Sequence, residues 1–228
     1  MRKYAPLIGC LRHNPRHSRF PIPNAIWAYN LKPIEFVLLS YLCCQHSHGS
    51  TNVSPEMAAK GIHMTVVTVK KYLARLVGKK LITDEEWSLA LAFQRTGDRK
   101  FFTLPNEIFL LSLPPSAFMV YAYLLLIEDR RTHTCHPSYN TITTMTGLAK
   151  NTTMKSISTL LEMDLIAVEP SSYFDKRGMK WTGNNLYTIL PIRQAIEQFH
   201  QWQLHQLELD AERRRVRKRQ ERFARARP

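Results

Sequence analysis

At 228 residues, 44% of them apolar, the chain is long enough for one large or two small domains that each bury a core, and its 4 cysteines suggest no disulfide framework. The 32 Lys and Arg outweigh 18 Asp and Glu, and the formal charge of +14 points to a polyanionic partner, either nucleic acid or an anionic membrane surface. Cys43 and Cys44 are neighbours that cannot comfortably bridge each other, and Cys10 and Cys135 add no paired pattern, so the thiols read as reduced in a cytoplasm.

Residues 1–19 carry Arg2, Lys3, Arg12, Arg16 and Arg19 with His13 and His17, no acid, and interruptions at Pro6 and Pro15. This is expected to be a basic arm, solvated or able to track phosphates or a minor groove. The run at 7–10 looks like a lipoprotein cleavage box, but Pro6 and the flanking basic residues leave no apolar segment of signal length. The apolar run at 118–127 falls short of the ~20 residues a bilayer needs, so it reads as a buried helix and no membrane partner is expected.

From Phe20 the chain repeats itself. FPIPNAIW at 20–27 recurs as FTLPNEIF at 102–109, 82 residues on, and Leu31, Pro33, Phe36 and Tyr41 match Leu113, Pro115, Phe118 and Tyr123 at the same offset. After a gap of two residues Ser54, Thr68, Lys71, Leu76 and Ile82 match Ser138, Thr152, Lys155, Leu160 and Ile166, now 84 residues apart. The shared positions are core and turn positions, which marks one structural unit used twice.

Each unit reads as a short strand, an apolar helix begun by proline, a loop, a helix-turn-helix and a β-hairpin wing. In the second copy Ser138 is placed to cap a short helix bearing Ile142 and Met145, Gly147 supplies the turn, and Ile157, Leu160 and Leu161 form the apolar stripe of a second helix. Lys150, Asn151, Thr152, Lys155 and Thr159 are left on its other face. The second wing is expected to pair 166–169 with 186–190 across a long loop at 173–185. The first is expected to run from Leu81 to a tip near 94–100 and return along 101–104, so that its last strand also opens unit two. Units joined without a linker hold a fixed relative orientation and set a fixed spacing between the DNA segments they meet.

From Pro191 the apolar positions Ile192, Ile196, Phe199 and Leu207 follow three-four spacing, and the helix ends in Arg213, Arg214, Arg215, Arg217 and further arginines. The apolar half reads as docking on the body or pairing with another chain, and the basic end as solvated or as a nonspecific phosphate grip.

With residues 102–109, Pro137, Ser138 and Tyr139, the segment from Thr146 to Thr152, and 160–166, the chain resembles winged-helix proteins of plasmids and integrative elements. In particular it resembles the N-terminal domain family of plasmid replication initiator protein A, over 102–189 and more loosely over 20–104. The resemblance implies that Lys150, Asn151, Thr152, Lys155 and Ser156 face the major groove or its phosphates, with Lys176, Arg177 and Lys180 of the wing on the backbone. Two departures stand out. Ala149 replaces the usual capping residue of the reading helix, and unit one has His63 where unit two has Gly147 and Val66-Val67 where unit two has Lys150-Asn151. Valines can touch a thymine methyl but cannot read hydrogen bonds, so unit one is either the weaker reader or a surface for another chain.

Cys43, Cys44, His46 and His48 in one unit and His133, Cys135 and His136 in the other invite a zinc reading, but they sit in equivalent loops rather than as spaced pairs closing one loop. His46 and His48 also match the His-x-His of metal-dependent nickases, although serine, not an apolar residue, stands between them. No phosphate-binding loop, Gly-x-Ser-x-Gly or carboxylate cluster is present.

The expected fold is mainly α with small β wings (α+β): a basic arm at 1–19, winged-helix units at 20–104 and 101–190, and a C-terminal helix with a basic tail at 191–228. The expected function is sequence-preferring binding of double-stranded DNA without catalysis or cofactor, as a replication initiator or, alternatively, a transcriptional regulator. Base contacts are assigned to Lys150, Asn151, Thr152, Lys155, Ser156 and Thr159. Phosphate contacts are assigned to Thr68, Lys70, Lys71, Arg75, Lys176, Arg177, Lys180, Arg213, Arg214, Arg215 and Arg217. Unit one and the C-terminal helix are the two candidate homodimer surfaces.

Overall fold

The computed structural model describes residues 19–50, 52–83, 87, 100–174 and 177–225. The basic arm, apart from Arg19, and most of the expected first wing lie outside the described residues. Unit one contains strand β1 (Arg19–Pro23), a 3-10 turn (Asn24–Tyr29) and helices α1 (Pro33–Ser47), α2 (Pro55–Gly61) and α3 (Val66–Gly78). Unit two contains β2 (Phe101–Pro105), a 3-10 turn (Asn106–Leu111), α4 (Pro115–Ile127), β3 (Thr134–Cys135), α5 (Tyr139–Thr146), α6 (Lys150–Glu162), β4 (Ile166–Glu169), β5 (Ser172–Phe174), β6 (Lys180–Thr182) and β7 (Leu186–Ile189). Helix α7 (Ile192–Arg225) closes the chain. This is the mainly helical α+β, winged helix-turn-helix class.

Local chemistry sets the helix starts. Pro33 and Pro115 begin α1 and α4 with a pre-set φ and no N–H to lose. Ser54, Thr65 and Ser138 accept the backbone N–H of Met57, Thr68 and Thr141 at 3.1, 3.3 and 3.0 Å and so cap α2, α3 and α5. Ala149, at the start of α6, has no acceptor to offer. Helix α4 is buried nearly all round, and none of the described helices is long and apolar enough to cross a membrane.

The backbone repeats along with the sequence. Left-handed φ values recur at Asn30 and Ser112, at Gly49 and His133, at His63 and Gly147, and at Lys80 and Asp164, each pair at equivalent positions. His63 adopts φ 54° where Gly147 adopts 65°, so unit one makes the same helix-turn-helix turn with a side chain present.

One expectation about strands is corrected and another lies outside the described residues. The expected first hairpin, from Leu81 to a tip near 94–100, falls mostly on residues that are not described; its expected last strand, β2, pairs antiparallel with β1, Phe20 opposite Leu104 and Ile22 opposite Phe102. All four side chains are buried, so this pairing closes the apolar face of both strands at once. The wing of unit two is more regular than the expected long loop. Beyond the sheet β3-β7-β4, in which Val168 lies opposite Tyr187, β5 and β6 form a further ladder with Tyr173 opposite Trp181.

A pseudo-two-fold axis relates the units. Residue Pro21 is equivalent to Thr103 and lies opposite it, and the rest of the β1-β2 register is symmetric about that pair. Phe36 and its equivalent Phe118 meet edge to face, ring centroids 6.2 Å apart. Contacts off the axis come as reciprocal pairs. Phe20 stacks on Phe109 at 5.8 Å and Trp27 on Phe102 at 6.3 Å, while Trp27 meets Tyr123 at 5.7 Å and Tyr41 meets Phe109 at 5.3 Å. Such reciprocity is the mark of an isologous interface, here built within one chain and continuous with a single core. Helix α7 docks its first turns through Ala195, with Ile192, Ile196 and Phe199 against the core, beside the 3-10 turn of unit two.

Candidate nucleic-acid interface

Helix α6 buries Thr153, Ser156, Ile157 and Leu160, a three-four stripe that packs with α4 and α5. The opposite face is left to solvent, and Lys150, Asn151, Thr152 and Lys155 all lie exposed on it or on its edges. No carboxylate pairs with Lys150 or Lys155 among the described ion pairs, so both ammonium groups are free to meet phosphate or a base edge.

Two of the expected base contacts are corrected. Ser156 is 3% exposed, because it stands three residues after Thr153 and four before Leu160, inside the buried stripe. Thr159 is half-buried at the edge, and its hydroxyl donates back to the Lys155 carbonyl at 3.0 Å. The outward line passes instead through Asn151, Lys155 and Ser158, with Met154 beside it and both Met154 and Ser158 exposed. Helical spacing alone could have found Ser158, since it follows Asn151 by two turns and Lys155 by three residues.

In unit one α3 buries Val69, Leu73 and Leu76 and exposes Val67, Lys70 and Lys71. Val67 is 80% exposed, the most exposed of the large apolar side chains described. The Thr68 hydroxyl is taken up at 2.8 Å by Thr65, and Lys70 stands 3.8 Å from Glu56, a solvent-screened pair that leaves its charge available.

Arg75 is a third correction. Its guanidinium lies 3.6 Å from the buried Glu35 carboxylate and over the Tyr72 ring, 5.1 Å from the centroid, so it is a core-edge counterion rather than a free phosphate contact. Lys79 completes the cluster at 3.1 Å from Glu35 and also donates to the Tyr29 and Asn30 carbonyls. Burial pushes the Glu35 carboxyl up, but the Lys32 N–H, Lys79 and Arg75 together outweigh it and hold its pKa below the ordinary 4.5. Unit two has Ala117, Thr159 and Met163 at the equivalent positions, so the ionic cluster belongs to unit one.

On the wing Arg177 is exposed, while Lys176 and the side chain of Lys180 lie outside the described residues. Arg213, Arg214, Arg215 and Arg217 are exposed on α7, with Arg213 3.6 Å from Asp210.

The cysteine and histidine groups of the two units do not converge: no three His, Cys, Asp or Glu side chains stand close enough to share a metal among the described residues. Cys43, Cys44 and Cys135 are buried thiols pushed up to about 12, chiefly by desolvation, and so stay protonated. His48 ties the units together through Nε2, which accepts from Asn106 Nδ2 at 3.2 Å, while Nδ1 donates to the Cys44 carbonyl of its own helix at 2.7 Å. That tautomer follows from the carbonyl, which can only accept.

Fold and exposed faces together define a tandem helix-turn-helix protein. A family described as "Helix-turn-helix domain" matches residues 111–166, the stretch of the second unit that contains α5 and α6. Among solved structures, a chain from Methanosarcina mazei Go1 described as a "Possible transcriptional regulator" is similar over 45% of this chain and 80% of its own, at 19% identity and a TM-score of 0.32. No curated protein matches the chain.

Proposed function

We propose that the protein binds double-stranded DNA with sequence preference, without catalysis, as a replication initiator of a plasmid or integrative element. The observation that carries the DNA-binding part is α6: a helix-turn-helix second helix with its apolar stripe buried and Asn151, Lys155 and Ser158 aligned on the open side. Asn can meet adenine N6 and N7, and Lys can meet guanine O6 and N7 or a phosphate. The net charge of +14 and the arginines of α7 supply the sequence-independent attraction.

Initiation rests on the resemblance to plasmid initiators, and transcriptional regulation is the second reading, which the helix-turn-helix match supports equally. Footprinting on the DNA flanking the gene separates them. Occupancy of several reiterated sites in one origin-like region supports an initiator, and a single protected operator overlapping a promoter supports a regulator. Equal affinity for all duplexes would remove both.

Replacing Asn151 and Lys155 with Ala is expected to cost on the order of 1–3 kcal/mol per base contact and to relax site preference. Unchanged preference in that double variant would show that another element reads the bases.

A further inference from the structure

A two-fold axis keeps equivalent atoms at the same height along it and reverses their direction across it. Because such an axis passes between Pro21 and Thr103 and between Phe36 and Phe118, α3 and α6 are presented as inverted copies. Separate helix-turn-helix subunits reach that arrangement only by pairing two chains, and their DNA sites mirror the dyad. Here the pairing surface is internal, since Phe20, Phe36, Phe102, Phe109 and Phe118 are all buried between the units. One chain already holds what a dimer would supply.

The two presented helices differ in chemistry. Helix α6 offers the hydrogen-bonding groups of Asn151 and Lys155, whereas α3 offers the bare methyls of Val67 with Lys70 and Lys71 beside them. An amide and an ammonium can read base edges by hydrogen bonds, but a valine can select only the thymine methyl.

We propose that a single chain reads one imperfect inverted repeat in duplex DNA whose halves are recognised by different chemistry. Asn151 and Lys155 read one half by hydrogen bonding. Val67 reads a thymine in the other half while Lys70 and Lys71 hold its phosphates. The proposal rests on the DNA-binding reading above and adds the orientation of the half-sites, the stoichiometry and the source of each half's preference.

The test incubates the full chain with a pool of random-sequence duplex DNA at fixed salt, sequences the bound fraction, and weighs the complex on the enriched duplex by sedimentation. The expected result is two related half-sites in inverted orientation with one chain per duplex. N151A with K155A should erase preference in one half only and weaken binding about tenfold or more. V67A, at a solvent-exposed position where folding is not at stake, should erase a thymine from the other half with about a fourfold loss. Direct repeats, a lone half-site, two chains per duplex, or both halves degraded by V67A would overturn the proposal. A pool with no enriched sequence would instead overturn the DNA-binding reading, and this proposal with it.

Discussion

The Glu35 carboxylate lies 3.1 Å from the Lys79 ammonium, joining the first turn of α1 to the residue that caps the end of α3. Glu35 is 2% exposed and its cationic partners sit at the rim, so the cluster locks α3 onto the core helix α1. Unit two places Ala117, Thr159 and Met163 at the equivalent positions, none of which can form an ion pair.

Replacing Glu35 by Gln is therefore expected to destabilise the protein by about 1–3 kcal/mol, less than for a fully buried pair because Lys79 and Arg75 can turn to water. Its folded pKa is below the ordinary 4.5, so the carboxylate's contribution is fully present above that value and fades as pH falls through the lowered one. Urea unfolding of wild type and E35Q should show a gap that is constant near neutrality and closes below pH 4.5. A gap that widens on acidification would contradict the arrangement.

Thr153 and Ser156 are buried against α4 with hydroxyls that have no hydrogen-bond partner among the described residues. Changing Thr153 to Val keeps the shape and removes the unpaired group, so thermal unfolding should shift upward, by up to about 1 kcal/mol. Ser156→Ala should leave DNA preference untouched, which a competition assay between selected and scrambled duplexes would check.

The start of α6 is uncapped. Ala149 has extended φ and ψ of −66° and 149°, the conformation a capping serine adopts, so Ala149→Ser should stabilise the protein by about 1 kcal/mol. Calorimetry that finds no gain would mean that the first turn of α6 already finds another acceptor.

Phe36 and Phe118 meet on the pseudo-axis, and either one changed to Ala should cost about 3–5 kcal/mol. Both units should still unfold together, because one core runs through them. Fluorescence of a variant that keeps Trp27 as its single tryptophan, with Trp87, Trp181 and Trp202 changed to Phe, and far-ultraviolet dichroism of the whole chain should give coincident transitions; two separated steps would show independent units.

Removing residues 213–228 should weaken binding to all duplexes alike and lower the salt slope by about 0.9 for each phosphate that the tail neutralises. Affinity measured across a salt series with selected and random duplexes gives both quantities. A selective weakening on the preferred site would instead assign the tail a reading role.

Much of the fold is legible in the residues themselves. The prolines that open α1 and α4, the caps at Ser138 and Thr65 and the glycine turn at Gly147 are local signals, because each satisfies or releases backbone groups within a few residues. The stripe of α6 is equally plain, yet Ser156 misleads, since a small hydroxyl residue reads as surface unless its place on the helix is given more weight than its polarity. Arg75 misleads for a different reason: its counterion Glu35 is 40 residues away and nothing local announces that ion pair.

The amino-acid sequence alone determined that one unit occurs twice and which residues in the two copies correspond. It could not say how the copies are related in space, because the same period serves units stacked head to tail and units turned about an axis. That was decided by the tertiary structure, in which β2 lies antiparallel against β1. The physical reason is that Phe20, Ile22, Phe102 and Leu104 are all buried by one antiparallel pairing, and a strand's alternation shows which face must be covered but not which strand covers it.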